Sequence, residues 1–404
     1  MKKRILSMSL IALCLILIII VSFVPGCATK TPSEKEPIKI GVLLGLTGPV
    51  SAYFPKFKQG IELAVNDDFS GQVAGRPILL IYEDHAGDTT VALEKAKKLI
   101  GVDKVSAILG PEFDGLPPVV GEYASQQKVP TFNWKGYLVE TMPKFDYQFT
   151  LAWTQYTATM PLAAYAANVL HNKNASLLLA DYVAGYGFAD AFKAEFEKDG
   201  GHVIQEQYAP IGTADFSSYL TNIKQADVVG MWSISPDIGL MLKQYAEFGL
   251  TSKFGTPLVV LGSSLWPEEM ETIGEPILGA VSVNDYTPLI QSAANDEFLA
   301  KFQKVYGSTP TDGEAEVAYE GTTMLLKAIQ KMGGTTPPEQ LRQTLLDLKE
   351  QLPSGPVSFT QQGWPVHNMY LVKAAIVNGV YLWQPIPDQI YYLDPTTGQP
   401  LSSQ

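Results

Sequence analysis

The sequence predicts an α/β protein of two doubly wound lobes built on parallel sheets, and three observations carry that prediction. Short β-branched runs alternate with longer amphipathic segments. The runs are continuously apolar, as strands covered by helices on both faces are, rather than alternating in polarity. The alternation occurs in two series that meet near Tyr147 to Thr157. A chain of 404 residues, 46% hydrophobic and 10% aromatic, suits two lobes of ordinary size and excludes global disorder.

The N-terminal stretch stands apart from that rhythm. Lys2, Lys3 and Arg4 precede an uncharged apolar run from Ile5 to Val24, long enough to cross a bilayer. An uncleaved anchor would begin the same way, but Val24-Pro25-Gly26-Cys27 resembles a bacterial lipobox, apart from Pro25 where a small residue is usual. The reading is a lipoprotein signal over 1–26, with Cys27 lipidated and the folded part exported. Cys14 falls within the signal, so the mature domain has no partner for a disulfide and no cysteine metal site. Thr29 to Pro37 is polar and Pro-bearing, and residues 27–37 read as a linker.

The folded elements follow in order. "IKIGVLL" precedes the helical "FKQGIELAVND", "ILLIYED" precedes "TTVALEKAKKLIG", and "VSAILG" precedes "LPPVVGEYASQQ". The second series pairs "ASLLLA" with "GFADAFKAEFEKDG", "HVIQEQY" with "FSSYLTNIKQ", and "VVGMW" with "IGLMLKQYAEFGL". Three helical segments at 294–306, 315–332 and 337–349 then lead back to strand patterns. Asn378-Gly379 between "KAAI" and "VYLW" signals a hairpin. From Gln384 the Pro-rich tail shows no period and is expected to wrap the surface. The lobes read as 38–154 with 286–362, and 155–285 with 363–384, leaving 385–404 as a tail.

Charge and motif content remove several function classes. Without its three N-terminal cations the chain has 26 basic residues against 41 acidic ones, a balance of −15. That disfavours nucleic acid, which requires clustered Lys and Arg. His85, His171, His202 and His367 show no metal-type spacing, and neither a nucleophile elbow nor a P-loop is present. "GYGFAD" lacks the third glycine of a dinucleotide motif and reads as a helix-opening turn. No cofactor and no catalytic residue is assigned. An exported two-lobe protein of this kind binds rather than catalyses.

Six segments in order then resemble one family. "IKIGVLLGLTGPVSAYFPKFKQGIELAVND", "AILGPEFDG", "GYGFADAFKAEF", "GTADFSSYLTNIKQADVV", "SPDIGLMLKQYAEFGL" and "GPVSFTQQGWPVHNMYLVK" are similar to the family I solute-binding proteins of ABC importers, in the leucine/isoleucine/valine-binding group. The resemblance implies a type I periplasmic binding protein-like fold, Rossmann-like in each lobe. Three crossovers are expected near 152–158, 282–288 and 360–366. It also implies a small-molecule solute held in the interlobe cleft at the C-terminal strand ends, hinge closure, and delivery by a monomer to a membrane permease. A ligand-sensing subunit of the same fold is the alternative; a secreted hydrolase would need a nucleophile that is not here.

Carried over residue by residue, the resemblance implies a first shell. Tyr53 matches an aromatic that packs on the ligand side chain, and Asp114 the serine that holds a carboxylate. Lys135, Gly136 and Tyr137 match the loop that shares this task, and Tyr186 a tyrosine of the far lobe. Ile234, beside Ser233, falls where a second tyrosine would sit, and Leu258 where an acid would grip an α-ammonium. Phe113, Trp134, Trp232 and Trp266 add aromatic surface to the cleft loops, although both Trp232 and Trp266 also suit a core. Asp114 either reaches the ligand or caps the helix starting near Leu116, and Lys135 either meets a carboxylate, pairs with Asp114 or lies on the rim. Asp114 and Leu258 both depart from an amino-acid site, so the solute stays open between an amino acid, an amide and another carboxylate.

Overall fold

The computed structural model describes residues 35–48, 51, 54–113, 115–134, 139, 145–254 and 258–401. The first lobe runs β1 (Ile38–Leu44), α1 (Phe54–Leu63), β2 (Gln72–Val73), β3 (Arg76–Asp84), α2 (Thr89–Lys98), β4 (Ala107–Leu109), α3 (Leu116–Gln126), β5 (Thr131–Asn133) and β6 (Gln148–Thr150). Its sheet has the order β2-β3-β1-β4-β5-β6, parallel except for the short β2. The order reverses around β1, and this is what sends helices to both faces. Alternate β1 residues accordingly enter different cores. Val42 and Leu44 pack with Phe57, Ile61 and Leu325, whereas Leu43 packs with Leu99, Leu116 and Val120. The helix α2 is fixed at both ends by charge. Asp88 accepts the N–H groups of Thr90 and Val91, and Lys95, Lys97 and Lys98 fill the last turn, each sign matching the helix dipole.

The second lobe runs α4 (Met160–Asn168), β7 (Asn174–Ala180), α5 (Val183–Lys198), β8 (His202–Ala209), α6 (Ser217–Asn222), β9 (Val228–Trp232), α7 (Asp237–Glu247), α8 (Leu250–Phe254), β10 (Leu258–Val260), α9 (Pro267–Ile273) and β11 (Val281–Asn284). The chain then leaves this sheet for α10 (Ala293–Tyr306), α11 (Glu314–Lys331), α12 (Pro338–Leu346) and the small antiparallel sheet β12 (Lys349–Leu352), β13 (Gly355–Phe359) and β14 (Pro365–Val366). It comes back as β15 (Asn368–Val377) and β16 (Val380–Tyr392), giving the order β16-β15-β11-β10-β9-β7-β8. Both faces of this sheet carry buried apolar residues too. The two sheets are doubly wound and linked by three passages of chain, the architecture that the resemblance implies.

The hairpin at Asn378-Gly379 has left-handed φ values of 53° and 83° at its two central residues, as a type I′ turn requires. Beyond it, the sequence expectation fails. Gln384 to Tyr392 is strand, paired antiparallel with β15, where an irregular surface tail was expected. Pro385 and Pro387 hid the strand from a pattern reading. They are tolerated because β16 is the sheet edge, where a missing N–H need not break a ladder.

Pro37–Gln404 is one compact unit, and the two sheets share packing on one side. A core residue set that begins on β15 at Tyr370 and Val372 continues through Tyr286, Phe298, Phe302, Ala315 and Tyr319 to Leu63 on α1. Burying each of the larger aliphatic and Phe side chains in it contributes roughly 1.5–3 kcal/mol. The second passage of chain, at Asp285 and Tyr286, is therefore anchored in packed apolar material. Among the described residues no helix is long and apolar enough to cross a membrane. The apolar run Ile5–Val24 and Cys27 lie outside the described residues.

Candidate functional site

The C-terminal ends of the first lobe's strands are bound together by two carboxylates. Asp84, at the end of β3, accepts N–H groups of Leu46 at 3.0 Å, Thr47 at 3.3 Å and Ala86 at 2.9 Å, and the Thr47 hydroxyl at 2.6 Å. Burial works against its charge, but these donors outweigh burial and hold its carboxyl below the ordinary range. Glu112, in the loop after β4, is 3% exposed. One of its oxygens accepts the Gly45 N–H at 2.8 Å and the other lies 3.0 Å from His85 Nε2. His85 is fully buried, and its Nδ1 accepts the Gly87 N–H at 3.0 Å. That contact assigns the tautomer: Nδ1 is the acceptor, so Nε2 carries the proton and donates it to Glu112. The chain Gly87–His85–Glu112–Gly45 thus ties three strand-end loops to each other.

Glu112 points inward and is structural. Gly110, which opens the loop, has φ 102°, and a Cβ there would stand 2.1 Å from the Leu43 carbonyl oxygen, so only glycine fits. The N-cap position of α3 is Gly115, without a side-chain cap, which places Asp114 one residue before the cap rather than on it. Asp114 itself lies outside the described residues, as do Tyr53, Lys135, Gly136 and Tyr137. Phe113 is half-buried against Leu116 and its neighbours. Trp134 is buried, stacked on Phe57 of α1 with ring centroids 5.3 Å apart.

In the second lobe a third carboxylate repeats the device. Glu269 of α9 accepts the Ser235 hydroxyl at 2.8 Å and the Trp266 N–H at 3.1 Å, joining the loop after β9 to the turn after β10. Burial raises its carboxyl above the ordinary range, against the two hydrogen bonds. Tyr186 sits on the first turns of α5, exposed, with its hydroxyl donating to Asp181 and its ring 4.5 Å from that of Tyr208. Trp232 is a core residue, its ring 4.9 Å from Phe188, which in turn lies 5.8 Å from Trp153 on the first passage between lobes. Ser233 is buried beside it, and Ile234 is partly buried against the same core.

Leu258 needs correction. It is the first residue of β10, paired with Val229, and it packs in the lobe core with Val260 and Tyr245. The cleft end of a parallel strand is its C-terminal end, here Val260 and the turn that follows. Carrying a family position onto a three-residue strand placed it at the wrong end.

The lobes meet where α1 and α9 begin, in the stretches of chain that follow β1 and β10. Lys56 of α1 contacts Asp312, lies 3.4 Å from Glu268 of α9, and stands 5.2 Å from the centre of the Trp266 ring. Sequence reading missed Lys56 and the three carboxylate ties; the only signal was "EDH" directly after an apolar run. A separate polar hollow of about 570 Å³ lies around Asp68, Tyr319 and Lys301, beside β2 and β12 and not at the C-terminal ends of β1, β3 and β4. Its charges answer one another, Lys301 with Asp68 and Glu297, so the strand ends are the better candidate. Among the described residues no cluster of three or more His, Cys, Asp or Glu could hold a metal ion.

The strand-end carboxylates of the described residues are already engaged. Asp84, Glu112 and Glu269 are engaged as above, Asp181 accepts from Tyr186, and Asp285 accepts the Tyr286 N–H at 3.0 Å, while Asp237, at the start of α7, accepts the Gly212 N–H at 2.6 Å. The acids at these strand ends are thus turned to structural work. The family model described as periplasmic binding protein matches residues 37–379. The chain belongs to the periplasmic binding protein family.

Within it, the chain is similar to the Leu/Ile/Val-binding protein homolog 6 of Brucella suis, 26% identical over 84% of this chain and 88% of that protein. An ABC transporter substrate-binding protein from Sphaerobacter thermophilus superposes with a TM-score of 0.80 at 30% identity, covering 87% of this chain and 97% of that one. A solute-binding protein of an ABC transporter from R. palustris, in complex with 4-hydroxybenzoate, gives 0.79 at 26% identity over 90% and 99%. Periplasmic binding proteins of ABC transporters take up small solutes outside the cytoplasm without chemically changing them, and this sets the class of activity here.

Proposed function

We propose that this periplasmic binding protein captures a small carboxylate-bearing solute between its lobes and delivers it to an ABC permease, as a monomer held to the membrane by a lipid on Cys27. Two solute classes stand among its relatives, branched-chain amino acids in the name of the Brucella protein and an aromatic acid in the R. palustris complex. One observation favours an acid that needs no ammonium partner. The carboxylates at the described strand ends are engaged by the protein's own donors, and freeing one to grip an ammonium would leave those donors unpaired, at roughly 1–3 kcal/mol each. In this reading Tyr53 and Tyr186 form aromatic walls, and Lys135, Gly136 and Tyr137 meet the carboxylate. Asp114 faces Lys135 or a hydrogen-bond donor on the solute.

The test is a stability screen with 4-hydroxybenzoate and leucine, because a bound ligand at 100 times its Kd adds about 2.7 kcal/mol to apparent stability. A shift with 4-hydroxybenzoate and none with leucine is expected. The opposite pattern would replace the acid by an amino acid, and silence with both would remove the two classes together. The anchor has its own test. Cys27→Ser should move the protein from the membrane fraction to the soluble one with solute binding intact, and unchanged membrane retention would favour an uncleaved apolar anchor.

A further inference from the structure

Lys56 is in the first turn of α1, where a positive charge faces the positive end of the helix dipole. Helix electrostatics therefore does not explain it, and its partners must. Asp312, in the loop leading into α11, contacts the ammonium from the same lobe, and its side chain is only 10% exposed. From the other lobe come Glu268, at 3.4 Å, and the ring of Trp266, at 5.2 Å. Burial opposes the charge, but Asp312, Glu314 and Glu268 together hold the ammonium above its ordinary range, so it stays protonated. The neighbouring residue Phe57 stacks on Trp134, directly before the loop 135–137. One helix turn thus touches Trp134 of its own lobe and the first turn of α9 in the other.

We propose that Lys56 is a positioning residue that latches the two lobes, setting how far they close and holding Trp266 at the wall of the cleft. Asp312 aims the ammonium, while Glu268 and Trp266 receive it when the lobes approach. The inference rests on the solute-binding reading for its effect on affinity, but not for its effect on shape. An exposed ion pair and a cation–π contact are individually weak, and together they shift an open–closed equilibrium by about tenfold. Because a solute that binds the closed form pays for closure, apparent affinity changes by the same factor.

The latch is read by small-angle scattering of the solute-free protein, with Lys56→Met, Lys56→Arg and Glu268→Gln, at low and high salt. Lys56→Met should enlarge the radius of gyration and abolish its dependence on salt, while Lys56→Arg, which keeps charge and ring contact, should match the wild type. The wild type should expand as salt rises toward about 1 M, where the Debye length falls to roughly 3 Å. Glu268→Gln, altering a side chain 60% exposed, should lie between. Should Lys56→Met fail to fold because Asp312 and Glu314 lose their cation, Glu268→Gln and the wild-type salt series decide. Identical profiles across folded variants and salts would overturn the latch. Titration with 4-hydroxybenzoate and leucine separates the two claims. If the wild type binds neither, the solute reading fails and the scattering result stands on its own. If it binds one, Lys56→Met should weaken it about tenfold through faster dissociation, and an unchanged affinity would overturn the latch.

Discussion

Glu112→Ala should destabilise the protein by about 2–5 kcal/mol, since it strands two buried donors, each costing roughly 1–3 kcal/mol unpaired. The donors are the Gly45 N–H and His85 Nε2–H, and neither has room to turn to water beside side chains 0–3% exposed. Glu112→Gln should recover only part of the loss. A carboxylate accepts from both donors, whereas an amide keeps one oxygen and turns an NH2 toward the other donor. His85 cannot compensate by changing tautomer, because its Nδ1 would then point a hydrogen at the Gly87 N–H. Urea unfolding of both variants, with Asp146→Ala as a change in a side chain 84% exposed, measures this. A loss from Glu112→Ala no larger than the control's would show that the tie contributes nothing. Since the three loops belong to the candidate site, loss of the tie should also loosen solute binding.

The second large effect concerns pH and the passage between lobes. Asp285 follows β11, and burial lifts its carboxyl to about 6 from an ordinary 3.8. Glu316 and Glu320 of α11 face it, both buried and both raised, first by burial. Glu320 accepts the Ser354 N–H at 2.7 Å and its hydroxyl at 3.0 Å, and Glu316 bonds to Glu320 as its protonated partner. A carboxyl whose folded pKa lies above its unfolded one favours the folded state below the unfolded pKa. That contribution is lost as pH rises through the folded value. For Asp285 the window runs from about pH 4 to 6. A two-unit shift corresponds to about 3 kcal/mol, and partial exposure of Asp285 reduces this to the order of 2 kcal/mol. Asp285→Asn keeps an acceptor for the Tyr286 N–H and has no proton to lose. It should match the wild type near pH 3.5 and exceed its stability by on the order of 2 kcal/mol near pH 7.5. A pH-independent difference between the two would place the ionisation elsewhere.

The sequence alone determined the class of this molecule, because strands and helices write their periods locally. Continuous apolar runs such as "IKIGVLL" and "ASLLLA", each followed by an amphipathic segment, point to a wound parallel sheet covered on both faces. Asn378-Gly379 declared its turn by backbone preference, and six ordered segments were enough to identify the family. Local signal failed where it conflicted with position. Pro385 and Pro387 argue against a strand until the sheet edge is known, and a run as short as Leu258–Val260 does not say which end meets the cleft. The site's internal wiring lay beyond reach for a different reason. Glu112 meets Gly45 across 67 residues and Lys56 meets Glu268 across 212, distances over which sequence patterns hold no register. A carboxylate in a loop reads the same whether it faces a solute or a buried histidine. Only the stacking of β1, β3 and β4 side by side brought His85, Glu112 and Gly45 within hydrogen-bond range, which makes Glu112 a structural acid.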